Sequence, residues 1–188
     1  MNLTGKRTAL MLVDPQHDFI DGALGAPGRD LAIEPLVRLA KEADYVVTSR
    51  DWHPRDHCSF TTQGGNFPPH CVKGTLGAQV VPQLLRFTDR LVSKGQDPET
   101  EEFSAFRGDG RIGQFFVQKG IEAVMVGGYV AEYCVKATTL DVLACPLFDR
   151  QTLPVYLAPS EAIAAISVKG KREAAAKMQE AGADLLYY

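Results

Sequence analysis

The feature that most constrains the fold is an alternation of short apolar runs with segments of helical periodicity. Continuous apolar runs at 8–13, 44–49 and 123–127 are typical of strands covered on both faces, as in parallel sheets. Shorter runs at 91–93, 155–158 and 183–187 predict further strands, and helices are predicted over 30–43, 111–119, 132–144 and 169–181. This order predicts one α/β domain over residues 1–188, with a mainly parallel sheet of about six strands and helices on both faces.

Chain size and composition restrict the class of protein. A length of 188 residues suits a single domain, and a hydrophobic content of 45% is ordinary for a globular protein. A net charge of −3 with scattered Lys and Arg gives no electrostatic case for nucleic acid. The amino terminus lacks a signal-peptide hydrophobic region, and no apolar run has the length of a membrane span. We therefore expect a cytoplasmic protein without nucleic-acid or membrane partners, and a homo-oligomer is compatible with these features.

Polar residues follow four of the predicted strands, at the sheet edge where parallel sheets bind their ligands. Asp14 follows the first run, Asp51 and His53 follow the second, Lys94 follows the third, and the fourth leads into the turn that carries Cys134. In open parallel sheets the ligand site lies outside the carboxyl ends of the strands. Each residue alone has an ordinary structural explanation, such as a cap, a solvated charge or a packed thiol. The full set favours a catalytic site at one edge of the sheet.

Cys134 is the candidate nucleophile among four cysteines. None of them shows CxxC spacing, and in a cytosolic chain they are expected to be free thiols. Cys145 suits core packing, while Cys58 and Cys71 each follow a histidine and are either metal ligands or space-filling residues, of which we favour the second. Cys134 is predicted in the first turn of a helix, where the helix dipole lowers the pKa of a thiol. Asp14 is then expected to accept the thiol proton, with Lys94 either holding Asp14 ionised or stabilising negative charge.

A second group of residues suits a divalent metal ion. Asp51 and His53 form an Asp-x-His pair on extended chain, which points both side chains to the same side. His57 and His70 fall within the same Gly/Pro-bearing stretch. A carboxylate with two or three imidazoles suits Zn²⁺, with Mn²⁺ and Fe²⁺ as alternatives. The alternative interpretation is that histidines in a polar loop are merely solvated.

Five segments, in order, resemble motifs of one enzyme family. The chain is similar to the nicotinamidase/pyrazinamidase group of the isochorismatase-like cysteine hydrolases over residues 8 to 160. The matching segments are LVDPQHDF at 12–19, DWH at 51–53, FPPHCVKGT at 67–75, SKG at 93–95 and GGYVAEYCV at 127–135. The chain departs from the family in carrying Phe103 where Tyr is common, Phe67 where Trp is frequent, and PQH at 15–17 where VQN is common.

The resemblance implies a role for each candidate residue. It implies the isochorismatase-like hydrolase fold and a catalytic triad of Asp14, Lys94 and Cys134. It implies metal ligands at Asp51, His53 and His70, with His57 as a fourth ligand or an outer partner. It also implies a cis bond at Val130–Ala131, which would aim the amides of Ala131 and Cys134 at the oxyanion. The expected substrate pocket is formed by Phe19, Phe67, Phe103, Val130 and Tyr133.

The implied activity is hydrolysis of nicotinamide to nicotinate and ammonia through a thioester, a step of NAD salvage. One alternative is another amidase of the superfamily, acting on a carbamoyl or maleamate-type substrate. Such relatives usually lack the Asp-His-His set, and true isochorismatases usually lack the cysteine. A second alternative is a catalytically silent member that binds a metal or a partner, which the intact triad disfavours.

Overall fold

A six-stranded parallel sheet forms the centre of the molecule. The computed structural model describes residues 3–106, 110–148 and 153–187, so the remaining residues of the predicted 1–188 domain lie outside it. The strands are β1 (Thr8–Val13), β2 (Tyr45–Asp51), β3 (Arg90–Lys94), β4 (Ala123–Gly128), β5 (Val155–Leu157) and β6 (Asp184–Leu185), in the order β3-β2-β1-β4-β5-β6. All five neighbouring pairs are parallel. The predicted α/β fold with about six strands is confirmed.

Helices connect these strands. They are α1 (His17–Ile20), α2 (Ile33–Glu42), α3 (Pro82–Leu85), α4 (Arg111–Lys119), α5 (Lys136–Leu143) and α6 (Val168–Glu180), with 3₁₀ turns at Arg29–Ala32, Thr61–Gln63 and Ser160–Ala162. The helix predicted over 30–43 begins differently, because residue 30 lies inside the first 3₁₀ turn and α2 starts after that turn without a side-chain cap. The predicted helix 132–144 also begins differently, as a π-helical turn over Ala131–Val135 that precedes α5.

The strand order reverses direction at the centre of the sheet. From β1 the chain moves outward to β2 and β3, and then returns to the other side of β1 with β4, β5 and β6. In open α/β sheets the crevice at such a reversal point, outside the carboxyl ends of the strands, binds the ligand. The residues that follow β1 and β4 therefore flank the expected ligand crevice.

The core is built around β1, and every residue of this strand is buried. Leu10 and Leu12 are fully inaccessible, as are Leu36 and Leu39 of α2 and Phe116 of α4. A strand that packs on both faces has no polar face, which explains its uninterrupted apolar sequence. Across the described ranges, no helix combines the length and apolar character needed to cross a membrane.

Candidate active site

Asp14, Lys94 and Cys134 meet at the carboxyl edge of the sheet. Asp14 follows β1, Lys94 ends β3, and Cys134 lies in the π-helical turn after β4. Lys94 Nζ is 3.0 Å from Asp14 Oδ2 and 3.5 Å from Cys134 Sγ. None of the three residues is more than 4% exposed. The three predicted triad residues thus form one buried contact group, in which Lys94 bridges the acid and the thiol.

Lys94 also pairs with a second buried carboxylate. Its ammonium group contacts Asp51 Oδ1 and donates to the carbonyl oxygen of Glu102 at 3.2 Å. Burial alone would lower the pKa of Lys94, but Asp14 and Asp51 raise it well above its usual value. Lys94 therefore stays charged, because each buried carboxylate would otherwise be left without a counter-ion.

The environments of the two carboxylates push their pKa values apart. Burial raises the pKa of Asp14, and the charge of Lys94 offsets this only in part. Burial acts in the same direction on Asp51, yet Lys94 and His53 together lower its pKa well below the usual range. Of two carboxylates that share one lysine, Asp14 is therefore the one suited to take up a proton.

Asp14 is held in an unusual backbone conformation. Its φ angle is 45°, in the left-handed region that residues other than glycine rarely adopt. Its amide donates to Ser49 Oγ at 3.2 Å, and the Ser49 hydroxyl in turn donates to Asp14 Oδ1 at 2.6 Å. Asp14 Oδ2 is buried without an aligned hydrogen bond, although Lys94 Nζ lies 3.0 Å away as an ion pair. One oxygen of the carboxylate is thus fixed by Ser49, and the other faces the reactive groups.

The thiol of Cys134 does not have the lowered pKa that its position at a helix start predicted. Burial raises its pKa well above the usual value, the charge of Lys94 opposes this, and the nearby carboxylates of Asp14 and Asp51 add to it. The prediction considered only the helix dipole, whereas the thiol is almost completely removed from water. The resting cysteine is therefore a thiol that must lose its proton when it reacts.

The turn that carries Cys134 differs in two details from the prediction. The cis peptide bond joins Tyr129 to Val130, one residue earlier than the expected Val130–Ala131 bond. The amide of Ala131 donates to the carbonyl of Ala164 at 2.8 Å, so it is not available to an oxyanion. Among the described residues, the amide of Val130 donates to no backbone carbonyl. Val130 therefore replaces Ala131 as the candidate oxyanion donor beside Cys134.

Asp51, His53 and His70 lie close enough together to hold one metal ion. Their nearest ligand atoms are all within 4.8 Å of one another, and all three side chains are buried. His53 Nδ1 donates to Gly95 O at 2.9 Å and His70 Nδ1 donates to Pro68 O at 2.8 Å. Because a carbonyl can only accept, these bonds leave both Nε2 atoms as acceptors, the form that coordinates a metal. Two imidazoles and a carboxylate oriented in this way fit a divalent cation.

His57 lies beside this group but is turned away from it. Its ring centroid is 4.0 Å from that of His53. Its Nδ1 is 2.8 Å from Ser59 Oγ and its Nε2 is 3.1 Å from Thr100 O, so both nitrogens have protein partners. Of its two predicted roles, this geometry favours the outer partner that packs against His53.

A cavity of about 410 Å³ opens onto both groups of residues. Its wall includes Cys134 from the triad and Asp51 and His70 from the candidate metal site. Aromatic rings form one side, where Tyr133 packs against Phe67 and Phe103 with ring centroids 5.7 and 5.3 Å apart. All five residues expected in the pocket line this cavity: Phe19, Phe67, Phe103, Val130 and Tyr133. Asn66, Glu101 and Ile166 also line it and were not predicted.

Two further buried polar residues support the site and were missed in the sequence. Ser49 contacts Asp14 as described, and Gln16 holds the backbone of Asp51. The Gln16 amide group donates to Asp51 O and accepts from Asp51 N, both at 2.7 Å, and also donates to Ala78 O at 2.9 Å. For Ser49 the available signal was a polar residue in the apolar run at 44–49, since a buried polar side chain requires a partner; for Gln16 it was its place in the motif at 12–19.

Comparisons with known proteins agree with this geometry. The isochorismatase domain family matches residues 8–186. Nicotinamidase from Escherichia coli is 34% identical over 161 residues, which cover 72% of this chain and 76% of the relative. The pyrazinamidase of Pyrococcus horikoshii in complex with zinc superposes with a TM-score of 0.84 at 34% identity, covering 97% of this chain and 99% of that chain. PnC1 from L. infantum in complex with nicotinate gives a TM-score of 0.86 at 27% identity, covering 98% and 94%.

These matches extend over nearly the whole sheet and over the segments that carry the predicted motifs. A family match over residues 8–186 includes every strand, both carboxylates, the three candidate metal ligands and the cysteine turn. The resemblance predicted from five short motifs is therefore confirmed, and the chain belongs to the isochorismatase family.

Proposed function

We propose that this chain hydrolyses nicotinamide to nicotinate and ammonia through a thioester on Cys134, a step of NAD salvage. The observation that carries the proposal is the position of the thiol. Cys134 contacts the Lys94 ammonium, has the Asp14 carboxylate as a neighbour, and lines a cavity that also contains the candidate metal ligands. A nucleophile, a proton acceptor and a group able to orient the substrate are thus within reach of one small molecule.

In the first half of the reaction, the sulfur attacks the carboxamide carbon and Asp14 Oδ2 takes the thiol proton. The carbonyl oxygen becomes an oxyanion beside the amides of Cys134 and Val130. The carbon–nitrogen bond then breaks, and Asp14 returns the proton to the departing nitrogen, which leaves as ammonia. Lys94 keeps its charge throughout and stabilises whichever of its neighbours is negative.

In the second half, a water molecule cleaves the thioester. Asp14, now ionised, accepts a proton from the water as the oxygen attacks the carbonyl carbon. The carbon–sulfur bond breaks, nicotinate is released, and the thiol of Cys134 regains a proton. The raised pKa of Asp14 suits a group that gains and loses a proton twice in each cycle.

Asp51, His53 and His70 would hold the metal ion, which supplies a positive centre that attracts and orients the pyridine ring nitrogen. Zinc is our choice, because two imidazoles and one carboxylate are ligand types that catalytic Zn²⁺ sites use. This set also distinguishes the proposed substrate from amides that lack a ring nitrogen. The cytoplasmic location and a homo-oligomeric state remain predictions from the sequence.

Ammonia release from nicotinamide tests the proposal. The wild-type chain should release ammonia, Cys134→Ala should not, and Cys58→Ala should match wild type because Cys58 lies outside the cavity lining. An aldehyde analogue of nicotinamide should attach to Cys134 and protect it from alkylation. Benzamide, which has the same shape without the ring nitrogen, should be hydrolysed much more slowly. Turnover by Cys134→Ala, or equal rates on the two amides, would contradict the mechanism or the substrate, respectively.

A further inference from the structure

The Ser49 hydroxyl makes two contacts with the same residue. It accepts a hydrogen bond from the backbone amide of Asp14 and donates one to Oδ1 of the Asp14 side chain. Both residues are fully buried; Ser49 lies in β2, and Asp14 directly follows the neighbouring strand β1. The 2.6 Å separation between the two oxygens is in the range of charge-assisted hydrogen bonds to a carboxylate.

The direction of this hydrogen bond follows from its geometry. The backbone N–H of Asp14 can only donate, so it occupies a lone pair of the Ser49 oxygen. The single hydroxyl hydrogen is then free to point at Oδ1, and within the described ranges Ser49 Oγ has no other hydrogen-bond acceptor. A proton placed on Oδ1 would displace that hydrogen and leave it buried without an acceptor.

Oδ2 has the opposite environment. It is buried without an aligned hydrogen bond and lies 3.0 Å from the Lys94 ammonium, which itself contacts the sulfur of Cys134. A proton on Oδ2 weakens the ion pair with Lys94 but leaves no buried hydroxyl hydrogen without an acceptor. The two oxygens of one carboxylate therefore differ sharply in how readily each accepts a proton.

We propose that Ser49 is a positioning residue that blocks one oxygen of Asp14 and directs the thiol proton of Cys134 to the other. This inference rests on the proposed function only in its choice of nucleophile and acid. Ser49 touches neither the sulfur nor the cavity, and it acts through the orientation of the Asp14 carboxylate. Without the hydroxyl, the carboxylate is free to rotate, and Oδ2 is no longer kept towards the thiol.

Alkylation of Cys134 by iodoacetamide tests the inference independently of the natural substrate. In this reaction the sulfur–carbon bond forms, iodide leaves, and the thiol proton passes to Asp14. Ser49→Ala should slow the alkylation of Cys134 by about 10- to 100-fold, the usual effect of misplacing a reacting group by about 1 Å. Peptide mapping measures the extent of alkylation at each cysteine. Alkylation of the partly exposed Cys58 in the same sample provides an internal reference and should not change.

Two further variants distinguish the effect of the Ser49 hydroxyl from the effect of altered packing. Ser49→Thr keeps the hydroxyl and should restore alkylation to within roughly threefold of wild type, since only the hydroxyl sets the carboxylate orientation. Thr48→Val removes a buried hydroxyl from the same strand. That hydroxyl pairs with Thr88 Oγ1 at a distance of 2.7 Å and does not contact Asp14, so Cys134 should be alkylated at the wild-type rate in this variant. With nicotinamide, Ser49→Ala should lose kcat by a similar factor while KM stays constant.

An unchanged alkylation rate in folded Ser49→Ala would overturn the inference, as would a folded Ser49→Thr that is as slow as the alanine variant. Slow alkylation of Ser49→Ala in a protein that releases no ammonia from nicotinamide would support the role of Ser49 and contradict only the proposed substrate.

Discussion

At the scale of single residues, the site separates the tasks of two carboxylates that share one lysine. Asp51 faces Lys94 with one oxygen and His53 with the other, at 3.6 Å from Nε2, so it is suited to remain ionised. Asp14 has a lysine on one oxygen and a neutral hydroxyl on the other. The more completely compensated carboxylate lies in the candidate metal site, and the less compensated one lies beside the thiol.

Asp14→Asn should therefore remove turnover and spare binding. The amide has nearly the shape of the carboxyl group but cannot accept the thiol proton. Loss of general acid–base catalysis typically costs on the order of 10²–10⁴ in rate, so kcat should fall by that factor while calorimetry still detects nicotinamide. Asp21→Asn, at an exposed position, is the control. Near-wild-type turnover in folded Asp14→Asn would exclude Asp14 as the proton carrier.

Lys94→Met should lower both activity and stability, in a manner that depends on pH. Breaking a buried ion pair from one side typically costs about 3–5 kcal/mol, because two buried carboxylates are left without a cation. Loss of the positive charge raises the pKa of Asp14 further. A group whose folded pKa is raised loses stability as the pH rises through that value, so the variant should be least impaired in mild acid.

Urea denaturation across the pH range measures this effect, and Lys41→Met on the exposed face of α2 is the control. The base must be ionised in the free enzyme to act. The acid limb of kcat/KM should therefore move to higher pH in Lys94→Met. A stability loss that does not depend on pH would mean that Lys94 and Asp14 are not coupled.

At the scale of elements, Gln16 joins the start of α1 to the end of β2. Gln16→Leu fills a similar volume but leaves three buried backbone groups, two on Asp51 and one on Ala78, without their partners. An unpaired buried group costs about 1–3 kcal/mol, so unfolding should require roughly 3 kcal/mol less. Gln79→Leu, at an exposed position, should lower the free energy of unfolding far less in the same denaturation experiment. Equal losses of unfolding free energy in the two variants would mean that the hydrogen bonds of Gln16 to Asp51 and Ala78 do not stabilise the fold.

Only part of the secondary structure could be predicted from the sequence. The buried strands β1, β2 and β4 were predicted because a strand covered on both faces has an unbroken apolar sequence. The start of the helix after β4 was predicted less well. The Ala131 amide bonds to Ala164, and the Glu132 carboxylate accepts from the amides of Ile166 and Ser167. Contacts with a segment more than 30 residues away leave no periodic signal in the turn itself.

The residues of the candidate site were likewise only partly predictable from the sequence. Residues that follow strands were predicted individually, because parallel strands bring their carboxyl ends to one edge. Ser49 and Gln16 were not, because each acts on a residue that lies 35 positions away in the chain. The pKa of Cys134 was predicted in the wrong direction, since the extent of its burial depends on the whole fold.

At the scale of the whole molecule, the metal site should contribute to stability. An ion that binds only the folded chain adds about 2.7 kcal/mol at 100 times its Kd, which for a chain of this length raises Tm by about 5–10 °C. A chelator should therefore lower the Tm of wild type by that amount and leave His53→Ala almost unchanged. His17→Ala, at a histidine that is not part of the ligand group and pairs with Asp21, should behave like wild type in Tm and in elemental analysis. Equal metal content in His53→Ala and wild type would mean that the ligands are wrong.

The strand order also determines when the site can exist during synthesis. β1 lies at the middle of the sheet, paired with β2 on one side and with β4 on the other. A nascent chain that has left the ribosome only as far as β3 has Asp14, Lys94 and all three candidate metal ligands, but one edge of its central strand is still open. The candidate metal ligands are thus translated before the nucleophile, and the reactive cysteine is the last of these residues to be added. We expect a fragment ending near residue 120, once released from the ribosome, to expose an unpaired apolar edge of β1 and to aggregate more readily than the full chain.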